Sequence, residues 1–119
     1  MNPQINYKEH CKLRIVGANP NFYKHELVKC LIMLICKNKY PKAGIYSEYE
    51  LSNGDIPDVC IDLGNEVIYY EIQKEITNDW LNEIRDRDLD LNINTIIIRL
   101  KDLSDNLNEL IKQLEEIII

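Results

Sequence analysis

The sequence predicts a small α/β domain in which a mixed β-sheet is flanked by helices, with one more helix at the C-terminal end. Residues 59–63 and 67–72 are apolar, β-branched runs joined by Gly64-Asn65, the signature of a hairpin. Residues 93–100, containing Ile96-Ile97-Ile98, read as a fully buried strand. A stretch with helical spacing separates the two. A strand that returns after a crossover helix pairs in parallel with the strand before it, so the sheet is expected to be mixed.

The elements follow in order. Residues 13–16 form a short candidate strand, closed by Gly17-Ala18-Asn19-Pro20. Asn21 suits a helix N-cap, and residues 22–39 favour a helix that is apolar almost all round and therefore buried, with Pro41 as its stop. Residues 45–51 alternate as a strand, and Ser52-Asn53-Gly54-Asp55 turns the chain into the strand after Asp58. Three strands joined by tight turns make an antiparallel meander. Thr77 caps a helix over 77–89 whose periodic face carries Trp80, Leu81, Ile84 and Asp88. Leucines and isoleucines at 103, 107, 110, 111, 114, 117 and 118 mark an amphipathic helix over 103–118, capped by Ser104 or Asp102.

A chain of 119 residues is expected to form one domain with a real core. Cys11, Cys30, Cys36 and Cys60 contain no Cys-x-x-Cys pair and lie in mostly apolar surroundings, which predicts free thiols in a reducing compartment. The longest apolar stretch, 27–36, is interrupted by Lys29 and is about half of a membrane span. No signal peptide is visible, and a soluble cytoplasmic protein is the expectation. Net charge is −6, yet residues 1–42 carry a net of +6 and residues 43–119 a net of −12. Segregation of this kind permits a basic face on an acidic protein.

Asp58 and Glu71 fall within or beside apolar strands. An unpaired buried carboxylate costs several kcal/mol, so acids placed there point to a positive ligand, most simply a divalent cation with hard oxygen donors. Alternation puts Glu71 and Gln73 on one face of their strand and Ile72 and Lys74 on the other. His10 and His25 show no His-x-x-x-His spacing, so zinc or histidine chemistry is not expected.

Pro57-Asp58 followed on the next strand by Glu71-Ile72-Gln73 resembles the motif of the PD-(D/E)XK nuclease superfamily, Pro-Asp and then acid-x-Lys. The Glu-x-Gln form is most similar to the CoiA-like nucleases. The resemblance implies a restriction-endonuclease-like αβββαβ core over about residues 22–100, an order that periodicity gives independently. It implies Mg²⁺- or Mn²⁺-dependent hydrolysis of DNA, with RNA as the other candidate substrate. Asp58, Glu71 and Gln73 would be catalytic; Asp58 and Glu71 would bind metal, with the Ile72 carbonyl and Glu26 as further ligands and Glu48 or Glu50 as outer ones. Arg85 and Arg87, together with Lys24 and Lys74, would contact nucleic acid. The departure from the pattern is Gln73, an amide that carries no charge toward an oxyanion. The alternatives are a catalytically inactive module that binds nucleic acid or protein, and a small acidic regulator of a basic partner. The apolar run Glu116 to Ile119 is a candidate homodimer contact.

Overall fold

Helix α1 (Pro20–Lys39) opens on a proline, whose fixed φ suits the first helical turn, so Asn21 falls inside the helix and is not its cap. The computed structural model describes residues 20–52, 54–91 and 93–118; the strand expected at 13–16 lies outside them, with His10 and Cys11. After α1 come β1 (Gly44–Ser47), β2 (Val59–Asp62), β3 (Val67–Gln73), α2 (Asn78–Leu91), β4 (Ile93–Arg99), a 3₁₀ turn (Leu100–Asp102) and α3 (Leu107–Ile117). The order of elements is the one expected from periodicity.

The four strands lie in the order β1-β2-β3-β4. β1 pairs antiparallel with β2 and β2 with β3, while β3 and β4 run parallel through the α2 crossover. At the β2–β3 turn Gly64 adopts φ +90°, and its N–H donates to Asp62 Oδ1 at 2.9 Å. Thr77 Oγ1 accepts from the Trp80 N–H at 3.2 Å, the expected cap of α2.

Three expectations are corrected. β1 stops at Ser47, short of Leu51, because Glu48 takes a left-handed φ of 49° and gives its N–H to the carbonyls of Pro57 and Asp58. α3 begins at Leu107, later than 103: Leu103 is extended, and Asn106 is the cap, its side chain accepting from the Glu109 N–H. Ser104 instead bridges the Asn106 N–H and the Glu109 carboxylate within the connecting loop. α1 is not buried all round either. It turns Val28, Ile32 and Cys36 inward and leaves Leu27 and Leu34 44% and 58% exposed.

One face of the sheet carries the main core. Ile45, Val59, Ile61, Ile68, Tyr70, Ile72 and Ile98 meet the α1 stripe and Leu110, Leu114 and Ile118 around α3. Leu114, fully buried, contributes roughly 2 kcal/mol of transfer free energy. Lys39 Nζ donates to the Ile118 carbonyl at 2.6 Å, and Lys24 Nζ to the Leu103 carbonyl at 2.6 Å, tying both ends of α1 to the C-terminal segment. Ile118 is fully buried and Ile117 packs against the core, so part of the apolar C-terminal run is used within the chain. Alternation turns Tyr69, Glu71 and Gln73 to the opposite face, where α2 lies and the Arg87 guanidinium stacks 4.8 Å from the Tyr69 ring centroid.

Cys36 and Cys60 are buried free thiols and Cys30 is partly exposed. Burial pushes Cys36 up to about 11 and Cys60 to about 12, which leaves both protonated and unreactive at neutral pH. No helix of the described residues is long and apolar enough to cross a membrane.

Candidate functional site

The antiparallel register of β2 and β3 pairs Val59 with Tyr70, and one step further along the ladder brings Asp58 opposite Glu71. Asp58 is fixed there by a 2.7 Å hydrogen bond that its Oδ2 accepts from the Ile72 N–H. Glu71 is only partly exposed. Burial, and then the negative charge of Asp58, push its carboxyl up to about 7, with Asp55 adding to the effect and Arg87 and His25 opposing it. Asp55 stands close by, accepting a 3.1 Å hydrogen bond from the Tyr69 hydroxyl. These carboxylates share a region where negative charge is under-compensated.

On the α1 side, the His25 ring stands between two acids. Its Nε2 lies 3.5 Å from Asp58 Oδ1 and its Nδ1 3.4 Å from Glu26 Oε1. The Asp58 contact, with the charges of Asp58 and Glu26, raises the His25 pKa against the opposing effect of burial. Glu26 is buried and ion-paired with Lys29, whose Nζ lies 2.5 Å from Glu26 Oε2 and 3.6 Å from Glu48 Oε2. Lys29 is completely buried, and neither contact has the alignment of a hydrogen bond. The left-handed turn at Glu48 is what brings its carboxylate to Lys29 while Glu50 stays exposed, so the two do not share a strand face.

Charged groups therefore run in a chain from Glu48 through Lys29, Glu26 and His25 to Asp58 and Glu71. Of the predicted metal ligands, Asp58 and Glu71 come together. Glu26 is held one residue away, behind His25. Among the described residues no group of three His, Cys, Asp or Glu is drawn together closely enough to hold a metal ion as it stands. Gln73 is half-buried on the Glu71 face.

The predicted nucleic-acid contacts are dispersed. Lys24 is bound to the Leu103 carbonyl and to Asp105, on the side where α1 meets the C-terminal loop. Arg85 is exposed on α2, its Nη2 donating to Asn82 at 2.8 Å. Arg87 is engaged inward, donating to Thr95 Oγ1 at 2.7 Å and to Asp88 at 3.2 Å while it stacks on Tyr69. Lys74 is exposed, just past the end of β3.

Sequence reasoning passed over His25 and Lys29. His25 has no partner at a metal-binding spacing because its partner, Asp58, is on another element. Lys29 did leave a trace: it interrupts an apolar run three residues after Glu26, the spacing of a helical ion pair.

No protein-family model matches this chain, and neither the curated proteins nor the solved structures contain a match to it.

Proposed function

We propose that this domain is a restriction-endonuclease-like nuclease that hydrolyses phosphodiester bonds in nucleic acid, DNA first, with Mg²⁺ or Mn²⁺. One observation carries the reading: Asp58 and Glu71 meet across paired strands, and burial beside Asp58 raises the Glu71 carboxyl to about 7. Two hard oxygen donors with too little positive charge around them suit a divalent cation that keeps several of its waters. The helix, three strands, helix, strand order and the mixed sheet are in keeping with it.

Asp58 and Glu71 would hold the ion, which when bound supplies a water of lowered pKa and a Lewis acid at the phosphoryl oxygens. The chain's own groups set the stage for that. The Ile72 N–H and His25 orient Asp58, and Glu71 has to give up its proton to act as a ligand at neutral pH. Gln73, on the same face, can orient a water or a phosphoryl oxygen but adds no charge.

The test is cleavage of supercoiled, nicked, branched and single-stranded DNA, and of RNA, by wild type, Asp58→Asn and Glu71→Gln with Mn²⁺ present. Wild type should cut at least one of these and both variants none. Failure of wild type on the whole panel favours the second reading, a non-catalytic nucleic-acid-binding or interaction module. Two observations support that reading: glutamine stands at the lysine position, and among the described residues no group of three metal-ligating side chains is drawn together around Asp58 and Glu71.

A further inference from the structure

The face of the sheet that carries Glu71 and Gln73 continues onto β4. In the parallel β3–β4 register Glu71 pairs with Ile97 and Gln73 with Arg99. Paired residues on neighbouring strands project to the same side, and the strands lie about 4.8 Å apart. Arg99 is thus the cross-strand neighbour of the residue that stands where the nuclease motif has its lysine.

The other cations near the site are committed elsewhere. Lys29 is buried between Glu26 and Glu48, Lys24 holds Leu103 and Asp105, and Arg87 holds Asp88 and Thr95. Lys74 follows Gln73 and belongs by alternation to the opposite face. The Arg99 side chain is exposed and makes no hydrogen bond or ion pair with any described residue, although Asp102 and Glu116 border the same groove. It also terminates an edge strand, since β4 has β3 on one side and no strand among the described residues on the other. A second groove, between α2 and β4, is lined by Arg85, Thr95 and Ile97, and Ile97 is the residue paired with Glu71. Ile97 borders both this groove and the one that holds Arg99, so the two grooves adjoin at β4.

We infer that Arg99, with Gln73 beside it, forms a phosphate-binding subsite for nucleic acid, the guanidinium supplying from β4 the positive charge that β3 lacks. A guanidinium is suited to this because it grips phosphate oxygens bidentately and stays charged throughout the working pH range. The inference rests on the nuclease reading for the chemistry that follows binding, but the binding is measurable without turnover.

The experiment is fluorescence anisotropy of a labelled single-stranded oligonucleotide and its duplex, with Ca²⁺ as the divalent ion, titrated over a range of salt. Full-length wild type is compared with Arg99→Gln, Gln73→Lys, the double variant, and Lys101→Gln as a control for net charge. Arg99→Gln should weaken binding by about tenfold and flatten the dependence of log K on log salt by roughly one phosphate contact. Gln73→Lys should restore most of the affinity in the Arg99→Gln background, and Lys101→Gln should do little. Equal losses in Arg99→Gln and Lys101→Gln, or no rescue by Gln73→Lys, would overturn the subsite. If wild type cuts nucleic acid and Arg99→Gln cuts with the same kcat and KM, the subsite falls and the nuclease stands. Arg99-dependent binding with no cutting leaves the subsite standing and removes the nuclease. No binding by wild type removes both.

Discussion

Glu71→Gln should stabilise the domain at alkaline pH and leave it nearly unchanged in mild acid. The folded chain holds the Glu71 carboxyl at about 7 against an ordinary value of 4.5, through burial and then the charge of Asp58. A raised carboxyl favours the folded state while it is protonated. That contribution is complete below the unfolded pKa and is lost as pH climbs through the folded one. A shift of this size corresponds to about 3 kcal/mol, and allowing for the partial exposure of Glu71 brings it closer to 2. Glutamine keeps the volume and never ionises. The difference between variant and wild type should therefore grow from near zero at about pH 4 to roughly 2 kcal/mol at about pH 8, some 8 °C in Tm for a chain of this length. His25 contributes with the same sign, since Asp58 and then Glu26 raise its pKa against burial, and its attraction to Glu71, which the variant loses, is already contained in the raised Glu71 value. Urea denaturation of both proteins across that pH range measures the quantity, and Mn²⁺ should raise the stability of wild type at the upper end more than that of the variant. Parallel pH curves for the two proteins, or a variant less stable than wild type at about pH 8, would refute the placement of Glu71.

Asp58→Ala should act in the opposite direction, because it removes the acceptor of the Ile72 N–H; a loss of about 1–3 kcal/mol in urea melts at neutral pH is expected. Lys29→Met leaves Glu26 and Glu48 buried without their cation and should cost about 3–5 kcal/mol, much of it recovered when Glu26→Gln is added, as thermal melts of the single and double variants will show. Gly64→Ala places a Cβ in open space at φ +90°, so its cost of about 1 kcal/mol should be conformational and appear as a lower urea midpoint with an unchanged slope.

The parts of this molecule that could be read from its sequence are those in which the deciding residues are close together in the chain. Gly64-Asn65 between two β-branched runs fixes the β2–β3 hairpin, and the hairpin alone brings Asp58 opposite Glu71. Thr77 likewise specifies the start of α2 from three residues away. Other features depend on partners distant in sequence. Glu48 turns left-handed where the pattern continues as a strand, since a non-glycine at positive φ has no local signature and is held by the carbonyls of Pro57 and Asp58. His25 and Lys29 look like ordinary polar interruptions of an apolar helix until the 48–58 segment is folded against them. Arg99 is aligned with Gln73 by a parallel register, and such a register is set by how a crossover helix packs, which alternation within β4 does not reveal.

The parallel pairing of β3 with β4 has a consequence for the order in which the site is assembled. Asp62 and Val67 are paired across five residues, whereas Val67 and Ile93 are paired across twenty-six, with the whole of α2 between them. Closing the short loop is entropically cheaper, so the hairpin that unites Asp58 and Glu71 can form early, while β4 docks only once the crossover has been organised. In the folded protein β4, which has no strand on its outer side among the described residues, is the junction expected to open first. Amide exchange at Thr95 and Ile97 should then outpace exchange at Ile61 and Ile68, and a chain caught in that open state would keep its acid pair while presenting a long, isoleucine-rich strand edge to its neighbours.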